Sequence, residues 1–142
     1  MKIMVAYDGT VQAKEALVYG MKKAVEKGGE VVALHVFNAP QFIDYDVTPN
    51  AISAARAEAA RFVAEAKTII AEKGNGATAS LFSTDGNPNE AVIDFARAEK
   101  VDVLLCPPAF RSIVNKYRKA LGDSEFAKEA GTLDLAAVTV TK

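Results

Sequence analysis

With 142 residues, 50% of them hydrophobic and 25% charged, the chain has the size and composition of one globular domain with a buried core. Its 17 basic and 18 acidic residues nearly cancel, so no overall field favours nucleic acid or an anionic membrane, and recognition by charge is expected to be local. A single cysteine, Cys106, and a single histidine, His35, exclude an intrachain disulfide and a Cys/His zinc centre.

The opening run from Met1 to Tyr7 meets charged Asp8 too early for a signal-peptide core or a bilayer span, which predicts a cytoplasmic protein. Ile3 to Tyr7 reads as a buried first strand, and Asp8-Gly9-Thr10 as a turn that supplies helix-capping side chains. From Val11 to Lys27, Ala13, Ala16, Leu17, Gly20, Met21 and Ala24 recur at helical spacing, and Gly28-Gly29 stops the helix. Val31 to Phe37 is apolar except for His35, which predicts a strand covered on both faces, and hence a parallel sheet. Pro40 and Pro49 mark 38–50 as a loop.

A long helix is expected from about Ala51 to Lys73, on a stripe that includes Ala59, Phe62, Ala66, Ile69 and Ile70. Ala77 to Ser83 alternates as a strand does. Asp85-Gly86-Asn87-Pro88 then combines a turn, a cap and proline at the first helical position, with Glu90 at the capping-box position, and opens a helix that runs to about Glu99. Val101 to Cys106 is the most apolar strand. It breaks at Pro107-Pro108 into a basic loop that ends at Gly122-Asp123-Ser124, where a short helix holding Phe126, Ala127 and Ala130 is expected to start and Gly131 to close it. Leu135 to Val140 is the last strand. Strands alternating with helices in this way predict an α/β fold, a doubly wound parallel sheet with helices on both faces.

An apolar strand ending in Asp8-Gly9-Thr10, a Leu34-His35-Val36 second strand, Gly86-Asn87-Pro88 before the third helix, and Val101-Asp102-Val103-Leu104-Leu105 together resemble the universal stress protein family over essentially the whole chain. The resemblance implies an adenine nucleotide alpha hydrolase-like sheet of five parallel strands in the order 3-2-1-4-5. It also implies a homodimer, formed through the exposed edge of the last strand, Leu135 to Val140. Many members of the family bind ATP with magnesium through an aspartate after the first strand, a valine in the second, and the motif G-x2-G-x9-G-(S/T) after the fourth.

Asp8 and Val36 match the first two positions and Gly122 the last glycine, so the nucleotide cleft that the resemblance implies comprises Asp8, Gly9, Thr10, Val36, Gly122 and Ser124. The first two glycines are absent. Counting back from Gly122 puts Ala109 and Ser112 there; aligning on the strand end puts Pro107 and Phe110 there. Asp123 stands where the hydroxyl residue belongs, one place before Ser124. Proline has no N–H to donate, a side chain blocks close backbone approach, and a carboxylate at a helix start opposes a polyphosphate. The expected function is therefore that of a non-catalytic stress-response or regulatory binding protein that needs no cofactor and acts on another protein. The alternative is a universal stress protein that binds ATP or another anionic nucleotide, with slow hydrolysis.

The other side chains carry bland readings beside sharper ones. Asp8 caps the first helix or contacts a ribose; His35 is a packed core residue rather than a ligand; Cys106 is a buried small hydrophobe rather than a reactive thiol. Arg111, Lys116, Arg118 and Lys119 form either a solvated basic loop or an anion site that works by charge alone. Phe110, Ile113, Val114 and Tyr117, interleaved with them, suit a short amphipathic helix. Asp44 and Asp46 in the long loop lack converging carboxylates for a metal. A flavodoxin-like carrier or a phosphorylatable receiver on a similar sheet is disfavoured, because Asp8 has no adjacent acidic residue.

Overall fold

The computed structural model describes residues 1–37, 49–85, 88–117 and 121–140. The expected loop over 38–48, with Asp44 and Asp46, and the residues Gly86, Asn87, Arg118 and Lys119 lie outside that set. In chain order the elements are β1 (Lys2–Ala6), α1 (Val11–Lys27), β2 (Glu30–Phe37), α2 (Pro49–Lys73), β3 (Thr78–Asp85), α3 (Pro88–Ala98) and β4 (Val103–Cys106). A 3-10 turn (Pro108–Phe110), α4 (Arg111–Lys116), β5 (Leu121–Asp123), α5 (Ala127–Gly131) and β6 (Ala136–Val140) complete the chain.

One sheet carries all six strands in the order β3-β2-β1-β4-β6-β5. The first four are parallel. β1 alternates its side chains between two cores, as the two-residue period of a strand requires. Ile3, Val5 and Tyr7 face Ala13, Leu17 and Met21 of α1, together with Ala66 of α2 and Phe126 beside α5. Met4 and Ala6 face Val92, Ile93 and Ala96 of α3 and Ile113 of α4. Helices on both faces explain why β1, β2 and β4 are almost wholly apolar, and buried Ile113 fits the short amphipathic helix expected among the cations.

The expected sheet of five parallel strands in the order 3-2-1-4-5 is corrected in its outer half. The last strand, β6, lies antiparallel to β4, with Cys106 opposite Ala136 and Val103 opposite Thr139. β5 then pairs antiparallel with the far side of β6. Leu135 to Val140 is thus no exposed edge, because β6 has a neighbour on either side. Gly122 and Asp123 begin no helix: they are strand residues, and α5 starts four residues after Asp123, at Ala127, and takes in the Gly131 expected to close it. A three-residue strand that contains glycine buries little, so the more apolar β6 takes the inner place beside β4.

α1 ends as the glycine pair predicts. Gly28 sits at φ +66°, the Gly28 N–H donates to Val25 O, and the Gly29 N–H donates to Ala24 O at 2.7 Å, which closes the helix with two otherwise orphaned carbonyls. A Cβ on Gly28 would meet nothing within 4 Å, so the backbone angle is the only obstacle to a side chain there. Gly28→Ala is expected to lower unfolding stability by about 1 kcal/mol in a urea titration, without changing the slope of the transition.

Candidate functional site

In a parallel sheet the ligand position lies beyond the carboxyl ends of the strands, where the order reverses, here beyond β1 and β4. Asp8 occupies that position. Its Oδ1 accepts from the Thr10 backbone N–H at 3.1 Å and from the Thr10 hydroxyl at 2.6 Å, and Thr10 Oγ1 in turn accepts from the Ala13 N–H at 3.1 Å. Thr10, rather than Asp8, is therefore the cap of α1, and Asp8 braces the cap. The other carboxylate oxygen, Oδ2, carries no hydrogen bond among the described residues.

Gly9 turns the chain at φ +78°, and a Cβ there would come within 2.4 Å of the Phe62 ring. Phe62 projects from α2 onto this turn and meets His35 edge to face, with ring centroids 5.1 Å apart; the Arg61 guanidinium lies 5.0 Å from the Phe62 centroid. His35 is buried, and its Nδ1 lies 3.1 Å from Tyr7 O. A carbonyl only accepts, so Nδ1 carries the proton. The histidine is a packed core residue that ties β2 to the last peptide before Asp8. Phe62 escaped notice as a site residue because its spacing on α2 is that of any core position, and no feature of a single sequence separates the two roles.

Val36 stands in β2 opposite Thr84 of β3 and packs partly on the α3 and α4 side of the sheet. The segment after β4 is also closely packed: Pro107 is buried, Phe110 joins the same core, and the Phe110 N–H donates to Pro107 O at 2.9 Å. Cys106 is buried, and the low-dielectric surroundings push its thiol up to about 12 from 9.0, so it packs as a small hydrophobe rather than reacting as a thiolate. Burial, followed by the Glu65 and Asp8 carboxylates, pushes Tyr7 up to about 12. The Tyr7 hydroxyl has no hydrogen-bond partner among the described residues.

The remaining expected site residues lie elsewhere. Gly122 is opposite Thr139, which is opposite Val103, which is opposite Ile3, so Gly122 belongs to the row of residues near the amino ends of the parallel strands. Asp8 lies five residues beyond Ile3 on β1, three strands away. That is roughly 17 Å along the sheet and roughly 14 Å across it. A Cβ on Gly122 would meet nothing within 4 Å, so no close approach requires glycine there. The Ser124 hydroxyl donates to Ala137 O at 3.1 Å and accepts from the Phe126 N–H at 3.1 Å, holding the chain between β5 and α5. The structure therefore brings Asp8, Gly9 and Thr10 together and separates Gly122 and Ser124 from them. Of the four cations, Arg111 is ion-paired with Asp134, and Lys116 lies 5.5 Å from the Tyr117 ring centroid. Among the described residues no group of His, Cys, Asp and Glu could hold a metal ion, and no helix is long and apolar enough to cross a membrane.

A parallel core with helices on both faces and an aspartate turn at the carboxyl end of its first strand defines a doubly wound α/β protein. The family model for the universal stress protein family matches residues 1–112, and the chain belongs to that family. The fold is shared with a universal stress protein family member from Burkholderia pseudomallei, at TM-score 0.67 and 19% identity over 83% of this chain and 87% of that one. The universal stress protein UspA from Lactobacillus plantarum matches at TM-score 0.65 and 18% identity over 82% of this chain and 91% of that one. A universal stress protein from Archaeoglobus fulgidus, in complex with dAMP, matches at TM-score 0.56 and 18% identity over 84% of this chain and 90% of that one. No curated protein matches the chain significantly.

The Gly9 turn can be tested by a double-mutant cycle. Gly9→Ala is expected to cost about 2 kcal/mol or more, from the clash with Phe62 together with the left-handed backbone. Combining it with Phe62→Ala is expected to remove the steric part and leave about 1 kcal/mol of backbone strain relative to Phe62→Ala alone, read by chemical denaturation.

The buried thiol and phenol set an alkaline limit. Near pH 7 both are protonated whether the chain is folded or unfolded. Between pH 9 and about 12 the unfolded chain releases protons that the folded protein retains, so stability is expected to fall as pH rises through this window. A series of melting curves from pH 8 to 11 checks the slope, which Cys106→Ala and Tyr7→Phe should each flatten.

Proposed function

We propose that this universal stress protein works as a non-catalytic regulatory binding protein, a single cytoplasmic domain over residues 1–142, whose site beside Asp8 does not hold a triphosphate tightly. The observation that carries this reading is the strand register: the one glycine matching the phosphate motif, Gly122, stands at the opposite end of the sheet from Asp8, beyond an intervening antiparallel strand. The nearer segment supports it. Pro107 and Pro108 have no N–H to offer, and the Phe110 N–H is engaged by Pro107 O. His35 and Cys106 are both buried, and His35 Nδ1 is hydrogen-bonded to a backbone carbonyl.

A second reading, weak binding of an adenine mononucleotide, is favoured by the Archaeoglobus fulgidus neighbour in complex with dAMP. A monophosphate needs no extended phosphate cradle, and Asp8 Oδ2, which carries no hydrogen bond among the described residues, offers an acceptor for a ribose hydroxyl, with Val36 on the neighbouring strand β2.

Isothermal titration with Mg-ATP and with dAMP separates these readings. The proposal expects no Mg-ATP affinity tighter than about 1 mM, and no effect of Gly122→Val. Micromolar Mg-ATP binding abolished by Gly122→Val would overturn it. Micromolar dAMP binding that weakens about tenfold in Asp8→Ala would establish the second reading instead.

A further inference from the structure

Between α1, α2 and the turn that follows α5 lies a groove of about 790 Å³, within the size range of small-molecule sites. Val11 and Val18 of α1, Ile69 of α2 and Leu133 after α5 line it. Two of these are large hydrophobic residues left in solvent, Val11 at 66% exposed and Leu133 at 36%. Apolar side chains exposed singly need no explanation, but these two share one concave surface.

The charges around the groove are not balanced from within. Lys14 of α1 pairs with Glu65 of α2 at 3.7 Å, and a Cβ on Gly74 would lie 3.6 Å from Met21 Sδ, so the two helices run side by side in one direction. Two turns beyond the Lys14–Glu65 pair, each helix places a lysine on the groove, Lys22 and Lys73. Neither has an ion-pair partner among the described residues. Of the acids that line the groove, Glu129 is engaged by Lys23 at 3.0 Å, and Glu15 lies two turns from Lys22, toward the other end. Two like charges that flank one apolar surface repel each other unless an anion joins them.

We infer that this groove binds a single-chain carboxylate of the fatty-acid class, its head between Lys22 and Lys73 and its chain laid over Val18 and Ile69 toward Val11 and Leu133. One anionic head and one long apolar body are what the groove can recognise, whereas a polyanion would meet Glu15 and Glu129. From Lys22 to Val11 is roughly 16 Å along α1, a length that an extended acyl chain covers. Tyr19 also lines the groove, and its buried hydroxyl has no hydrogen-bond partner among the described residues, so it holds a proton that a carboxylate oxygen can accept. The site uses the helical face of the sheet and none of the residues of the Asp8 turn.

Isothermal titration with sodium dodecanoate, kept below the concentration at which it forms micelles, tests the site. Dodecanoate is expected to bind with a Kd tighter than about 100 μM, and dodecyltrimethylammonium, the same chain with a cationic head, at least about tenfold more weakly. The double variant Lys22→Gln/Lys73→Gln, at two exposed positions, is expected to weaken dodecanoate about tenfold with an unchanged melting temperature. Val11→Asp, which puts a carboxylate where the chain would lie, is expected to weaken it by a similar factor, and an acidic residue in the first turn of α1 should not lower stability. No binding of dodecanoate, equal affinity for the two head groups, or binding that neither variant changes would overturn the inference. So would a dimer in sedimentation velocity that Val11→Asp dissociates, since a second copy would then be the occupant of the groove.

Discussion

The antiparallel seating of β6 against β4 is the constraint on which the outer half of the molecule depends. β4 runs toward the carboxyl end of the sheet, and β6 begins opposite its last residue, Cys106, and runs back. The chain between them must leave that end, reach the amino end, and return. α4 and β5 make the round trip, and α5 spans the gap back to the start of β6. β5 runs parallel to β4, as a right-handed crossover would place it, but β6 occupies the place next to β4 and holds β5 one strand further out. Sheet position follows hydrophobic content, because Ala137 and Val138 of β6 are buried where Gly122 and Asp123 could bury almost nothing.

That one seating accounts for several features that otherwise look unrelated. The match to the family model ends at residue 112, inside α4, ahead of the two strands that build the outer half of the sheet. Ser124 tethers the exit of β5 to Ala137 rather than heading a helix. Arg111 of α4 pairs with Asp134, two residues before β6, so a residue that would be a free anion-binding cation fastens the outgoing segment to the returning one. Exposed ion pairs contribute little to stability, so its main effect is to set where the two segments lie.

The parallel half was legible in the sequence because its signals are local. Glycine after Lys27, proline at the first position of α3 and the period-two alternation of β3 each act within a few residues, and the elements formed where these cues lie. Strand direction is not local. The run from Leu135 to Val140 would look the same in a parallel or an antiparallel strand, since alternation records faces and not polarity. Asp123-Ser124 offers good capping side chains, yet a cap acts only if a helix follows immediately, and Ser124 found its partners in Ala137 and Phe126 instead. Phe62 illustrates the same limit at the site. Its spacing marks a buried face, but only the fold shows that this face covers Gly9.

The sheet thus divides along the boundary between β4 and β6. On one side, β1, β2 and β4 preserve the strand-order reversal that creates a ligand position, with the Asp8 turn fixed by Thr10, His35 and Phe62. On the other side, β6 and β5 extend the sheet outward from β4. β5 keeps the direction of β4 but stands one strand further out, with β6 between them. A glycine loop is useful only if the following helix aims its N-terminus at the same space, and no such helix starts at Gly122. In the segment after β4, Pro107 and Phe110 are buried, and Phe110 packs in the core shared by α3 and α4.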